Sequence, residues 1–365
     1  MQDAGKLSKR KAKSRTLVPF EVVAPNVHAK PGFNRGGIVK FRDANGDSIC
    51  VKEFYVALLG ILTISNTTDE AVLGCDQYEH VFFEQRIDMP RYRPKIESGS
   101  WHYFQLWFPD QLMAPRHLPA EAERLCEIPP RRDLPPSGDF GHGVSVKYIY
   151  KAVLVGEERH ITARLDMFLS PTRTIEIAEL RMIDMVRSKS IEFESQAGSA
   201  QKLTLALRCP IAAILGDQFP VWIRLVNTSN GPTQVCLESC SIVVRTRTSA
   251  QNGDDARKTY FDQDTINRQS FSENEWPTMS TQALDLRTIF HDLVIPGTYL
   301  PTFLSYYLSR QYTLEILVSV VVNPDDIGNL QSLQTFEFVL DAIAFLPAES
   351  SLDAWNREAE SHDGN

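Results

Sequence analysis

Apolar residues at every second position constrain this chain more than any other feature. Phe54, Val56, Leu58, Leu62 and Ile64 share one parity, and Val144, Val146, Tyr148, Tyr150, Ala152 and Leu154 repeat the pattern. Val221, Ile223 and Leu225 follow, then Tyr312, Leu314, Ile316, Val318, Val320 and Val322, and Phe336, Phe338, Leu340, Ala342 and Ala344 close the series. Successive side chains on a strand point to opposite faces, so each run predicts a strand whose apolar face packs against a second sheet. Turn chemistry separates the runs at Pro31-Gly32, Asn45-Gly46, Asn230-Gly231-Pro232, Asn252-Gly253 and Asn323-Pro324. Glycine supplies positive φ at such points and Asn bonds its own backbone. Asn45-Gly46, between FRDA and DSICV, predicts a tight hairpin. The best helical stretch is PAEAERLCEI after Leu118, which stops at Pro129-Pro130. The expected fold is therefore all-β, antiparallel β-sandwich layers with at most one short helix.

A chain of 365 residues suits two domains of about 150 residues better than one sandwich. With 43% hydrophobic and 23% charged residues, each half can bury a proper core. Residues 1–16 are expected to be a disordered basic tail: Lys6, Lys9, Arg10, Lys11, Lys13 and Arg15 face the single acid Asp3. The first sandwich is expected over 17–172 and the second over 191–347, with 173–190 crossing between them. An interface of that kind permits modest relative motion. Residues 348–365 are expected to be an acidic disordered tail. The net charge of −8 leaves the folded body no general attraction for nucleic acid. No run of about 18 apolar residues predicts a membrane span, and the basic N-terminal text has no apolar core of a secretory signal. The expected location is cytoplasmic.

The search for reactive chemistry yields little. GDFGHG places glycines at 138, 141 and 143, the wrong order for a dinucleotide fingerprint. GHGVSVK lacks the closing glycine of a nucleophile elbow, and no HExxH occurs. Cys236 and Cys240 lack a companion pair at zinc spacing; on a strand they would share one face as small core residues. With Cys50, Cys75, Cys126 and Cys209 they read as free buried thiols. His28, His80, His102, His117, His142, His160, His291 and His362 are scattered singly. Asn66-Thr67-Thr68 and Asn227-Thr228-Ser229 fit a glycosylation sequon but read more simply as turns at strand ends. No catalytic residue, metal ligand or cofactor site is expected. The basic head has three readings: a solvated tail, a nuclear address, or contact with an anionic membrane surface.

From about Leu17 to Phe345 the chain resembles the arrestin family. Pro31-Gly32, Gly37 and the strand VKEFYVALLG ending at Gly60 match its opening motifs, and GSWHYFQLWFP is similar to its aromatic strand. LPPS, containing Pro136, precedes VSVKYIYKAVL. In the second half, Gly216-Asp217-Gln218-Phe219-Pro220-Val221 and the segment from Ile295 through Pro296, Pro301, Phe303, Ser309-Arg310 and Tyr312 fall in the family's order. Prolines and glycines at these positions carry structure, not reactivity.

The resemblance implies the arrestin fold, all-β with two consecutive immunoglobulin-like antiparallel β-sandwiches and at most one short helix, and a non-catalytic adaptor. Such an adaptor binds cytosolic segments of membrane proteins in endocytosis, sorting or ubiquitin-dependent regulation, and is recruited to the plasma membrane or endosomes. The closest branch is the arrestin-domain-containing α-arrestins, whose ligase recruitment uses Pro-Pro-x-Tyr. Here Pro129-Pro130 runs into Arg131-Arg132 and Pro135-Pro136 into Ser137-Gly138, so ubiquitin-ligase machinery would have to be reached without that motif. The first strand, LVPFEVVAP, lacks the phosphate-sensing lysine pair of visual and β-arrestins. Two alternatives stay open: a coat-type scaffold subunit similar to the arrestin-like component of retromer, and an enzyme with a pocket between its domains.

Overall fold

The structure, a computed structural model, describes residues 20–32, 34–41, 49–65, 77–89, 95–96, 99–109, 134–156, 160–170, 184–194, 200–227, 235–252, 256–272, 283–285, 290, 293–322 and 333–346. The basic and acidic tails, the helical segment after Leu118 and the turns at Asn45-Gly46, Asn66 and Asn230-Gly231-Pro232 lie outside them, as do Gly253 and Asn323-Pro324.

The first half forms β1 (Phe20–Val23), β2 (His28–Ala29), β3 (Asn34–Phe41), β4 (Ile49–Ser65), β5 (Gln77–Asp88), β6 (Lys95–Ile96), β7 (Trp101–Trp107), β8 (Gly138–Asp139), β9 (Val144–Gly156) and β10 (His160–Leu169). Strands β1-β3-β7 make one sheet; β2-β10-β9-β4-β5 make the other, with β6 on β4 and β8 on β9. The second half forms β11 (Asp184–Glu194), β12 (Ala200–Pro210), β13 (Ala212–Ile214), β14 (Trp222–Asn227), β15 (Val235–Asn252), β16 (Ala256–Ser270), β17 (Ala283–Asp285), β18 (Phe303–Leu304), β19 (Leu308–Val322) and β20 (Leu333–Leu346). Its sheets run β11-β12-β14-β17 and β13-β20-β19-β15-β16, with β18 on β19. The all-β sandwich architecture expected from the alternation is what the structure has. The crossing segment 173–190 already includes strand, because β11 starts at Asp184 and pairs with β12 along its length.

The two halves repeat one topology. Strands β1-β3-β7 correspond to β12-β14-β17, and β2-β10-β9-β4-β5 to β13-β20-β19-β15-β16, with β8 and β18 each hung on the penultimate strand. In both halves a short strand pairs in parallel with the last long one, β2 with β10 and β13 with β20, while every other pairing is antiparallel. Strand β11 is the second half's addition.

Alternation puts each core where the sequence predicts. Phe54, Val56, Leu58, Leu62, Ile64 and the even residues from Val144 to Leu154 are buried in the first core. Val221, Ile223, Leu225 and the even residues from Tyr312 to Val322 fill the second. Full burial of one such Leu, Ile or Phe contributes about 1.5–3 kcal/mol. The inward tyrosines keep their hydroxyls bonded: Tyr148 donates to the Pro135 carbonyl at 2.8 Å and Tyr150 to that of Arg35 at 3.3 Å. Burial pushes the Tyr148 phenol up strongly and that of Tyr150 to about 12.

Three expectations fail, each for a pairing reason. The alternation of β20 does not run through to Ala344: Leu340 faces Leu314 but Ile343 faces Tyr312, so a bulge turns Ile343 and Phe345 into the core and sends Ala344 to the outer cluster with Ala212, Ile214 and Leu346. Cys236 and Cys240 do not share a face. A register shift between Leu237 and Ser239 puts Cys240 in the core with Val235 and Leu237, and Cys236 on the other side. No hairpin joins β3 to β4: β3 lies between β1 and β7, and β4 between β9 and β5, so the connection crosses from one layer to the other.

Cys209, Cys236 and Cys240 are buried and outside any disulfide; burial raises the thiols of Cys209 and Cys240 to about 12, which removes the reactive thiolate at neutral pH. Asn227 is itself buried.

Gly37 has no room for a side chain, since a Cβ would lie 2.5 Å from the Phe104 ring and 2.8 Å from the Val23 carbonyl oxygen. Because the backbone oxygen cannot swing away, Gly37→Ala is expected to lower the urea-unfolding free energy by about 1–3 kcal/mol. His102 lies inward, edge-on to Phe41 and Phe54, and burial lowers its pKa from 6.5. The unfolded chain therefore takes up a proton near pH 6.5 that the folded chain resists, so stability is full above that pH and falls as pH drops through it toward the lowered folded value. His102→Phe is expected to flatten that limb of the stability profile, measured by urea titrations on either side of pH 6.5.

Candidate functional site

The two sandwiches meet over a continuous apolar contact. Ala250, Phe303 and Leu308 of the second half are buried within the first half's core cluster, with Tyr260, Leu300, Tyr306 and Tyr307 packed against it. Tyr307 sits 4.8 Å from the His80 ring and 5.9 Å from Phe82, and Phe140 meets Phe303 edge-on at 5.4 Å. A junction filled by core side chains opposes the relative motion expected of a thin polar interface.

Beside this contact stands a polar cluster that no local motif announces. The turn between β8 and β9 carries three successive positive φ values, at Gly141, His142 and Gly143. Glycine takes such angles freely, while a left-handed residue with a side chain costs about 1–2 kcal/mol. His142 is the one non-glycine residue in that conformation among the described residues. The turn sets its ring flat on Tyr260, 5.0 Å away at 9°, with Nε2 2.8 Å from Asp262 Oδ1. Such a residue persists where its surroundings hold it, and here Tyr260 and Asp262 do.

Arg310, near the start of β19, is 9% exposed. Its Nε donates to Tyr312 Oη at 2.7 Å, and Nη1 to the Phe140 carbonyl at 3.0 Å and Thr248 Oγ1 at 3.2 Å. Tyr312 Oη in turn donates to the Leu300 carbonyl at 2.6 Å. All three acceptors are neutral, and no ion pair among the described residues includes Arg310. Its Nη2 has no hydrogen-bond partner among them, and the side chain lines a cleft of about 600 Å³ with Asp139, Phe140, Asp264, Pro296 and Tyr299. Tyr299 donates to Asp264 Oδ2 at 2.9 Å; burial foremost, then that carboxylate, holds its phenol above the ordinary range. Burial likewise raises Tyr312. Both phenols stay protonated at neutral pH with their O–H groups already given, to Asp264 and to the Leu300 carbonyl, so the donor left facing the cleft is Arg310 Nη2.

Two exposed surfaces complete the inventory. Strand β16 pairs with β15 along one side, and no strand pairs with its other side among the described residues. On the outer face there, Phe261 is 69% exposed and stands opposite the exposed Arg247. In the first sandwich, β7 alternates cleanly: Phe104 and Leu106 go inward, while Trp101, Tyr103 and Trp107 are exposed.

The family-motif positions lie at turns, at close contacts and at the junction. Pro31 and Gly32 form the turn before β3, where the Gly32 amide reaches the Phe108 carbonyl at 2.8 Å; Gly37 and Gly60 lie where aromatic rings press on the backbone. Pro136 belongs to a buried segment whose Ser137 exchanges bonds with Leu169. Gly216 turns toward the Ile295 carbonyl, and Pro220 precedes β14. Pro296, Phe303 and Tyr312 come together at the junction, and Pro301 is buried near it. Lys6, Lys9, Arg10, Lys11, Lys13 and Arg15 are outside the described residues. In the sequence Arg310 stands out only as motif text and His142 only as one scattered histidine, and nothing local assigns a role to Phe140, Asp262, Asp264 or Tyr299. The glycines of GDFGHG were the available signal, because two glycines flanking one residue mark an unusual turn.

A scan against protein-family models finds no match to this chain. A search of curated proteins finds none either. No group of three or more His, Cys, Asp or Glu side chains is placed to hold a metal ion among the described residues, and none of their helices is long and apolar enough to cross a membrane.

Arg310→Met keeps the apolar stem but strands the Phe140 carbonyl and two hydroxyls. It is expected to lower stability by about 2–3 kcal/mol, read as a shift of the urea midpoint, with Arg310→Lys losing less.

Proposed function

We propose that the protein is a non-catalytic adaptor of the arrestin type that binds extended cytosolic segments of membrane proteins along the open edge of β16. The observation that carries this reading is that 15-residue edge, with Phe261 and Arg247 beside it, held on a second sandwich that shares a core with the first. An incoming strand satisfies the free amides and carbonyls of such an edge, and alternate side chains supply selectivity. Phe261 on that strand, and Arg247 one strand further in, put an aromatic and a guanidinium on the outer face beside an incoming strand, which suits a segment carrying apolar and acidic residues. Membership of the arrestin family is supported by the order of the motifs and by two tandem sandwiches of one topology. The adaptor would act at the cytosolic face of the plasma membrane or endosomes. Without Pro-Pro-x-Tyr it would reach ubiquitin ligases through its bound cargo or a further protein.

The cleft gives a second reading, a pocket between the domains that binds a small polar ligand, its one supporting observation: the unspent Nη2 of Arg310. One experiment separates the two. A photo-crosslinking phenylalanine analogue is placed at Phe261 and, as a control, at exposed Val339 of β20. The edge reading expects crosslinked peptides that map to cytosolic segments of membrane proteins from position 261 and not from 339. It expects Phe261→Lys to weaken capture of those peptides at least tenfold, and Arg310→Met to leave it unchanged. Equal crosslinking at both positions, or loss of capture with Arg310→Met at full folded content, would sink it.

A further inference from the structure

We infer that the outer face of the β1-β3-β7 sheet is a docking surface for an anionic lipid bilayer. The register sets four rows across that face. Glu21, Lys40 and Trp101 lie side by side, then Val23, Ile38 and Tyr103, then Gly36 and Gln105, and Trp107 stands opposite Asn34 at the far end. Trp101, Tyr103, Trp107 and Val23 are 56%, 67%, 46% and 43% exposed. The opposite face of the same strands is already spent, since Phe20, Val22, Val39, Phe41, Phe104 and Leu106 fill the core. An antiparallel sheet with one buried face ordinarily turns polar residues outward. Three large aromatics on one seven-residue strand therefore mark a surface with a partner.

The chain entering this sheet says which partner. Strand β1 begins at Phe20, which pairs with Phe41, directly beside the row that ends at Trp101. The six basic residues from Lys6 to Arg15 lie just upstream of it. At the length of an extended chain, Arg15 stays within about 18 Å of Phe20 and Lys6 within about 50 Å, so the head can spread beside the aromatic rows. That head carries +5 net, and since the whole chain carries −8, the rest carries −13. The basic head thus joins the sheet through β1 at the end where Trp101 projects from β7, two strands across. Trp and Tyr, with an apolar body and a polar tip, favour the boundary between headgroups and acyl chains. A polybasic segment and an apolar patch are the two signals that together hold a protein on an anionic membrane. Trp101 and Tyr103 meet edge-on, at 4.7 Å and 79°, which offers no flat platform for a stacked ring and suits insertion among lipid chains.

The test is co-sedimentation of the full chain with vesicles of phosphatidylcholine, with and without phosphatidylserine. Wild type is expected to bind the phosphatidylserine vesicles at least tenfold more tightly, and added salt to weaken that binding. One variant combines Trp101→Ser, Tyr103→Ser and Trp107→Ser. A second replaces Lys6, Lys9, Arg10, Lys11, Lys13 and Arg15 by Gln. Each is expected to lose at least tenfold while keeping the wild-type urea midpoint. Should the aromatic variant prove unstable, brominated lipids replace it: quenching of wild-type tryptophan fluorescence by phosphatidylserine vesicles supports insertion, and unchanged fluorescence overturns it. The inference is also overturned if wild type ignores phosphatidylserine or if the aromatic variant binds as wild type does. A wild-type dimer that the aromatic variant dissociates, with vesicle binding unaltered, would assign the face to self-association instead. Crosslinking from Phe261 is expected to persist in the aromatic variant, so failure here is distinguishable from failure of the edge reading.

Discussion

Side chains of the second sandwich complete the core of the first, and the rest of the molecule depends on that contact. Phe303, Tyr307 and Leu308 come from the segment around β18 and the start of β19, yet they pack with Phe140, His80 and Phe82 of the first half. Removing that segment would open apolar surface in both halves at once. The junction is also where Arg310 is kept. A guanidinium withdrawn from water without a carboxylate partner is costly. Here the loss is offset by three neutral acceptors, one of them a carbonyl on the other sandwich. The hydrogen bond to Phe140 can form only while the sandwiches stay in register, so the apolar contact and the buried charge support each other.

The sheets themselves were legible in the sequence because alternation is a local property. Each inward position of β9 and β19 follows from its neighbours two residues away, and burial agrees along both strands. What alternation could not convey was the bulge. Nothing near Leu340 says that Ile343 and not Ala342 faces Tyr312, since the offset exists only relative to β19. The same holds for Cys236 and Cys240, separated onto two faces by a slip in pairing with a strand some eighty residues away. Asn45-Gly46 fits a hairpin by composition, but β4 belongs to a different layer because β9 and β5 flank it. Turn residues record that the chain bends, and long-range pairing decides what it bends toward. The repeated topology was hidden for a related reason: two sandwiches can share strand order while sharing only the period-two pattern.

The junction cluster lay beyond sequence for the same physical cause. Arg310 and Phe140 are 170 residues apart, and His142 and Asp262 are 120 apart. No spacing rule joins them. Each is unremarkable alone, and their meaning comes from the strand order that brings the β8–β9 turn against β16. The motif glycines, by contrast, sit at local features of the backbone. Gly32 and Gly216 take positive φ, and Gly37 and Gly60 leave room for rings.

A fixed junction has a functional corollary. An adaptor that binds a partner on one domain and a surface with another delivers the partner at a defined distance only if its domains hold their relation. If the second sandwich were tethered by a flexible linker, the effective concentration of anything held at β16 near a bilayer would fall with the volume the linker explores. The shared core removes that freedom. The aromatic face of β7 belongs to the first sandwich, and the edge of β16 to the second. The ring of His142 lying on Tyr260 links the two through β16 itself. If the two proposed surfaces act as argued, such a body would gain affinity for a membrane-borne segment without any new contact, because the entropy of placing one surface relative to the other is lost on folding and not again on binding.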